Sequence, residues 1–165
     1  RRRLPSEGAA TDDARMRSEP LLRDALKADL PALLSLESVF PSDRISARQY
    51  RRHLDSPTAR VRVLVIGPEV VGSSVLFFRR HSARGRLYSL VVSPSVRGQG
   101  LGRLLLADVE SVSRERGCDA VSLEVRTDNV PAVALYEAFG YANLGRLDDF
   151  YEDGSSAWRY RKALE

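Results

Sequence analysis

The chain has 165 residues, 43% apolar and 29% charged, with a formal charge of +4, the size and balance of one globular domain around one core. No run approaches the roughly 20 consecutive apolar residues of a membrane span, and the start Arg1-Arg2-Arg3-Leu4-Pro5 lacks the apolar region of a signal peptide. The single cysteine, Cys118, excludes an internal disulfide, so the expected setting is cytoplasmic, and the positive charge is mostly arginine dispersed among 22 acids, which argues against a nucleic-acid partner.

Residues 1–18 hold Pro5, Gly8 and mixed charge without apolar periodicity and read as a mobile tail, leaving 19–165 as the domain. Leu21 to Ala25 suits a short strand. Asp29 stands at a helix N-cap with Pro31 in the first turn, and Leu30, Leu33, Leu34 and Val39 mark a buried stripe. Ser46 caps a basic helix running to Leu54. Val61, Val63 and Val65 alternate as a strand closed by Gly67-Pro68, and Val70 to Arg80 is its partner, with Gly72 as the site of a bulge. A turn over Ser82 to Gly85 leads to the strand Leu87 to Val92, ended by Ser93-Pro94. Leu101, Leu104, Leu105, Val109 and Val112 then fall at helical spacing, and Gly117 stops that helix. Ala120 to Val125 reads as a strand and Asn129 to Phe139 as a helix with Pro131 at its start and Gly140 past its end. Strands from Tyr141 to Leu147 and Ala157 to Leu164 bracket the Asp153-Gly154 turn.

The segment richest in chemistry runs from Leu90-Val91-Val92 through Arg97-Gly98-Gln99-Gly100-Leu101-Gly102-Arg103, from strand through loop to helix. Three alternating glycines let successive backbone N–H groups face an anion at the positive end of a helix, and Arg97 and Arg103 flank the loop. A dinucleotide fingerprint would want glycine or alanine where Leu105 sits, and a P-loop needs a Gly-Lys-Ser/Thr ending that is absent.

Arg-x-x-Gly-x-Gly between a strand and a long helix resembles the coenzyme-A-binding motif of the Gcn5-related N-acetyltransferase (GNAT) family. The likeness extends through Leu123-Glu124-Val125-Arg126, Asn129 and Leu135-Tyr136-Glu137, and is nearest to the bacterial ribosomal-protein-alanine N-acetyltransferases. Their tyrosine-rich final hairpin is similar to Phe150-Tyr151-Glu152-Asp153-Gly154, although Phe150 stands where a tyrosine is often found.

This resemblance implies an α/β (α+β) fold, a twisted, mixed and mostly antiparallel sheet of about seven strands flanked by about four helices, with two central parallel strands splayed apart. It also implies acetyl-CoA as co-substrate: Leu90, Val91 and Val92 along the pantetheine arm, 98–103 on the pyrophosphate, and Asn129 and Tyr136 on the arm's other side. Glu124 would be the base, directly or through a water, Tyr136 the acid that protonates the leaving thiolate, and Tyr151 a grip on the acceptor. Acetyl would pass directly to a primary amine in a ternary complex, first choice a protein or peptide N-terminal α-amine and second a small amine such as a polyamine, amino acid or antibiotic. No metal or membrane partner is expected, and either a monomer or a homodimer fits.

Taken alone, the residues leave alternatives. Glu124 also suits an exposed strand position paired with Arg126 or a neighbouring arginine, and Tyr136 suits simple packing. Asp148, Asp149, Glu152 and Asp153 suit either attraction of a cationic amine or a solvated hairpin. A non-catalytic acyl-CoA-binding module would keep the glycine loop without needing Glu124 and Tyr136.

Overall fold

The computed structural model describes residues 19–165, so the expected tail at 1–18 lies outside the described residues. Seven strands, β1 (Leu21–Asp24), β2 (Ala59–Ile66), β3 (Glu69–Phe78), β4 (Arg84–Val92), β5 (Ala120–Arg126), β6 (Ala142–Leu147) and β7 (Ala157–Ala163), form one sheet. Helices α1 (Leu30–Glu37), α2 (Ala47–Asp55), α3 (Leu101–Glu115) and α4 (Val130–Ala138) pack on it. The sheet order is β1-β2-β3-β4-β5-β7-β6. Only β4 and β5 run parallel, which is the mixed, mostly antiparallel sheet expected. None of the helices among the described residues is long and apolar enough to cross a membrane.

Local chemistry sets most boundaries. Ser46 Oγ accepts from the Gln49 amide at 3.1 Å while Gln49 Oε1 accepts from the Ser46 amide at 2.8 Å, the reciprocal cap that starts α2. Gly117, at φ +90°, ends α3 as expected. Asp29 differs from its expected role. Its carboxylate accepts from Arg23 at 2.8 Å and from the Leu26 amide at 2.7 Å, so it closes a 3₁₀ turn ahead of α1 and makes no side-chain bond to the helix it precedes. The charged partner outcompetes the neutral amides of the first turn. β4 begins at Arg84, three residues before the expected start, because Arg84, Gly85 and Arg86 already pair with β5.

Alternation along β2 divides the core. Val61 and Val63 face Leu33, Ile45 and Tyr50 beneath α1 and α2. Leu64 and Ile66 face Leu101 and Leu105 beneath α3. Two bulges bend the sheet. In β3, Leu64 pairs with Gly72 and Val65 with Val70, leaving Val71 unpaired beside the glycine where a bulge was expected. A Cβ on Gly72 would stand 2.9 Å from Leu105 Cδ1 and 3.1 Å from the Val91 carbonyl, so glycine is needed for the close approach of α3. In β4, Val75 pairs with Ser89 but Leu76 with Leu87, which makes Tyr88 the extra residue.

Candidate active site

The bulge at Tyr88 is where the sheet opens. The β4–β5 ladder ends at the pair Leu87 and Leu123, although β4 continues to Val92 and β5 to Arg126. A cleft of about 240 Å³ fills this gap and reaches from the α1–α2 loop to α4. On its far side β4 stays paired with β3, and the Ser93 amide donates to the Val71 carbonyl at 2.7 Å. Antiparallel alternation therefore turns the backbone groups of Val91 toward β3 and those of Leu90 and Val92 toward the gap. Two residues of the expected three offer free backbone groups to an arm laid along the strand.

At the top of the gap, the buried Val96 side chain anchors a 3₁₀ turn (Pro94–Val96) that leads into the glycine loop. Gly98 and Gly100 hold φ of +83° and +74°, and a Cβ on either would meet nothing within 4 Å. Their glycines thus serve backbone conformation and leave the outer face of the loop bare. Gly102 has a different task, since a Cβ there would stand 3.3 Å from Leu135 Cδ2 and hold α3 off α4. The first turn of the 15-residue α3 has neither a side-chain cap nor an acidic residue, so its N–H groups remain available. Leu101 buries its side chain, so only its amide could serve a ligand, while Gln99, Arg97 and Arg103 are exposed. Neither arginine is paired with a carboxylate among the described residues. An uncapped helix start, two left-handed glycines and two unpaired guanidiniums fit a pyrophosphate.

Glu124 is the first β5 residue beyond the last pair with β4, and its side chain is 12% exposed. Its partners are Arg86, whose Nη2 is 3.3 Å from Oε2, and the cross-strand neighbour Arg159, whose Nη2 donates to Oε1 at 3.2 Å. Arg126 is not among them. That guanidinium donates to Asp153 at 2.8 Å, to Asp128 at 3.1 Å and to Ser155 at 2.7 Å, and lies over the Tyr151 ring. Tyr136 is buried on α4 against Tyr141 and Tyr160, and burial pushes its phenol far above the ordinary range, so the proton stays on. Asn129 Oδ1 accepts from the Ala132 amide at 3.3 Å, which commits the oxygen to capping α4 and leaves the amide nitrogen for the cleft. Tyr151 is half-buried, and burial together with the Glu124 charge pushes its pKa up to about 12. Leu90, Glu124, Asn129, Tyr136 and Tyr151 thus line one cleft, with the glycine loop beside it at the start of α3.

Three residues of the site went unread in the sequence. Glu37 is buried in the cleft wall and accepts from Tyr50 Oη at 2.9 Å, the Ile45 amide at 3.0 Å and Ser89 Oγ at 3.4 Å, while burial pushes its pKa up. It braces α1, α2, the loop between them and the bulged part of β4. The signal was present: Glu37 follows Leu30, Leu33 and Leu34 at helical spacing, on the face that is buried. Asp43, at φ +56°, accepts from the Glu152 amide at 3.0 Å and ties the α1–α2 loop to the β6–β7 hairpin. Arg86 is recognisable only once β4 lies beside β5. Two of the four hairpin acids are held in ion pairs, Asp148 with Arg146 and Asp153 with Arg126 of β5, each at 2.8 Å, and none of Asp148, Asp149, Glu152 and Asp153 lines the cleft. Cys118 is half-buried past the opposite end of α3, where burial pushes its thiol pKa up.

The splayed parallel pair, the bare glycine loop and the open helix start define a coenzyme-A-binding acyltransferase fold. Residues 26–141 match the acetyltransferase (GNAT) family, and the chain belongs to it: it is an acetyl-CoA-dependent acyltransferase domain with acetyl-CoA as co-substrate. An uncharacterized protein of Mycobacterium leprae is 31% identical over 160 residues, covering 90% of this chain but only 42% of the longer relative. Streptothricin acetyltransferase of Streptomyces lavendulae is 29% identical over 129 residues, 78% of this chain and 68% of that protein. The crystal structure of ribosomal-protein-alanine N-acetyltransferase from Brucella melitensis superposes with a TM-score of 0.76 at 25% identity, over 87% of this chain and 99% of that one.

Proposed function

We infer that this domain acetylates the N-terminal α-amine of a protein or peptide by direct attack within a ternary complex. The observation that carries this reading is the cleft itself. It is walled on the acceptor side by the α1–α2 loop and the β6–β7 hairpin, and it brings Glu124 and the proton-holding Tyr136 to one gap between β4 and β5. The Brucella neighbour's activity on a protein alanine points the same way.

Acetyl-CoA supplies the activated thioester carbonyl. Leu90 and Val92 would align the arm through backbone hydrogen bonds, and the amides of 101–103 with Arg97 and Arg103 would hold the pyrophosphate. The amine nitrogen forms the new C–N bond, the C–S bond breaks, Glu124 takes the amine proton directly or through a water, and the Tyr136 hydroxyl gives its proton to the sulfur. Arg86 and Arg159 occupy the Glu124 oxygens, so the carboxylate must share its hydrogen-bonding capacity between them and the amine. An α-amine, with a pKa of about 7.7–8.0, needs far less help than a lysine at about 10.4.

The test is acetyl-CoA consumption across N-terminal peptides, lysine peptides with blocked N-termini, and small amines. Free α-amine peptides are expected to turn over fastest; preference for a small amine would replace this reading. Gly100→Val, forced into left-handed backbone on the loop's bare face, should abolish acetyl-CoA binding in calorimetry.

A further inference from the structure

The acceptor end of the cleft runs on. It shares Arg86, Glu124 and Phe150 with a second concavity of about 560 Å³ across β4, β5 and β7, where Arg84, Arg86, Arg159 and Arg161 stand exposed. Arg79, Arg84, Arg86, Arg159 and Arg161 line this concavity, and Glu124 is the single carboxylate among the described residues that line it. The register explains the cluster: Arg86 and Arg161 both pair with Ser122, and Arg159 pairs with Glu124, so guanidiniums flank β5 from both sides. Arg79, Arg84 and Arg161 are exposed, and none forms an ion pair with a described residue.

We propose that this face seats the acceptor segment just behind its N-terminus and that the acceptor is acidic there, a polypeptide with Asp or Glu at about the third to sixth positions. The proposal rests on the α-amine reading and adds the substrate class. Extended chain advances about 3.3 Å per residue, so a peptide with its amine at Glu124 reaches the rows of Arg161 and Arg84 within a few residues. Continuity with the amine site calls for a chain that carries both a primary amine and carboxylates. A polypeptide has both, and a nucleic-acid backbone has no such amine.

The experiment uses the whole chain and three peptides with one shared N-terminal dipeptide, followed by Glu, Gln or Lys. At low salt, kcat/KM for the Glu peptide should exceed that for the Gln peptide about tenfold, from several exposed ion pairs of modest strength, with the Lys peptide slowest. The ratio should shrink toward one at 0.5 M salt by screening, an order-of-magnitude expectation. Arg84→Gln/Arg161→Gln should reduce the ratio to within about twofold.

Binding of the already acetylated Glu and Gln peptides in the presence of CoA, read by fluorescence anisotropy, makes the proposal independent of turnover. Tenfold tighter Glu-peptide binding that the double variant removes supports it even if the acceptor amine proves to be something else. Equal binding of the two peptides overturns it even if both are acetylated. Arginine-dependent binding of a single-stranded oligonucleotide without discrimination between the peptides would also overturn it, assigning the face to nucleic acid.

Discussion

The two halves of the sheet are built on opposite plans. Around β2 and β3 both faces are buried, with Val61, Val63 and Val75 under α1 and α2, and Leu64, Ile66 and Val71 under α3. Around β5 and β7 only one face is buried, where Val121, Leu123 and Tyr160 meet α3 and α4, and the other presents Arg159, Arg161 and Glu124. The site lies on the seam, where the bulge at Tyr88 separates β4 from β5. A doubly covered half supplies the rigidity, and a singly covered half leaves a surface on which a second substrate can lie.

That division is broken or sharpened by where substitutions act. Leu105→Ala, in the doubly covered half, removes a fully buried side chain that touches the Gly72 approach. It should cost about 2–5 kcal/mol of unfolding free energy, seen as a lower midpoint in urea, with the KM for acetyl-CoA little changed. Tyr136→Phe, on the seam, should lower kcat about a hundredfold while changing the unfolding free energy from urea titration by no more than about 0.5 kcal/mol. A parallel loss of stability would mean that its hydroxyl is structural. Glu37→Gln touches both halves and should show both effects, losing about 1–3 kcal/mol by leaving the Ile45 amide or Tyr50 hydroxyl mispaired and raising the KM for acceptor through a loosened cleft wall.

The smallest effect expected is on pH. Burial holds the phenol pKa values of Tyr136 and Tyr151 above the ordinary one, so activity should rise as the α-amine deprotonates near about 8 and show no fall from phenol ionisation up to about pH 10. Stability should behave differently. Tyr50, Tyr136 and Tyr141 keep their protons in the fold at a pH where the unfolded chain releases them. Their contribution is full below about pH 10 and is lost as pH rises beyond it. A midpoint in urea unchanged between pH 9 and 11 would refute the burial of these phenols.

Some of the site could be read without coordinates because its signals are local. The Ser46 cap, the stop at Gly117, the alternation of Val61, Val63 and Val65 and the loop Arg97-x-x-Gly-x-Gly each depend on residues close along the chain. Glu37 was within reach of the same logic, as a carboxylate on the buried stripe of α1. Arg86 and Arg159 were not. They lie 38 and 35 positions from Glu124, and only the parallel ladder on one side of β5 and the antiparallel ladder on the other bring them to it.

By itself the sequence determined most of the elements and the glycine loop, since propensity, capping and left-handed glycines act over a few residues, and it pointed to Glu124 and Tyr136 only through the family resemblance. The tertiary structure alone decided that β7 inserts between β5 and β6, that a bulge at Tyr88 releases β4 from β5, and that arginines dispersed through the chain gather on one exposed face. Those outcomes follow from long-range strand pairing and burial, which no short window of residues encodes.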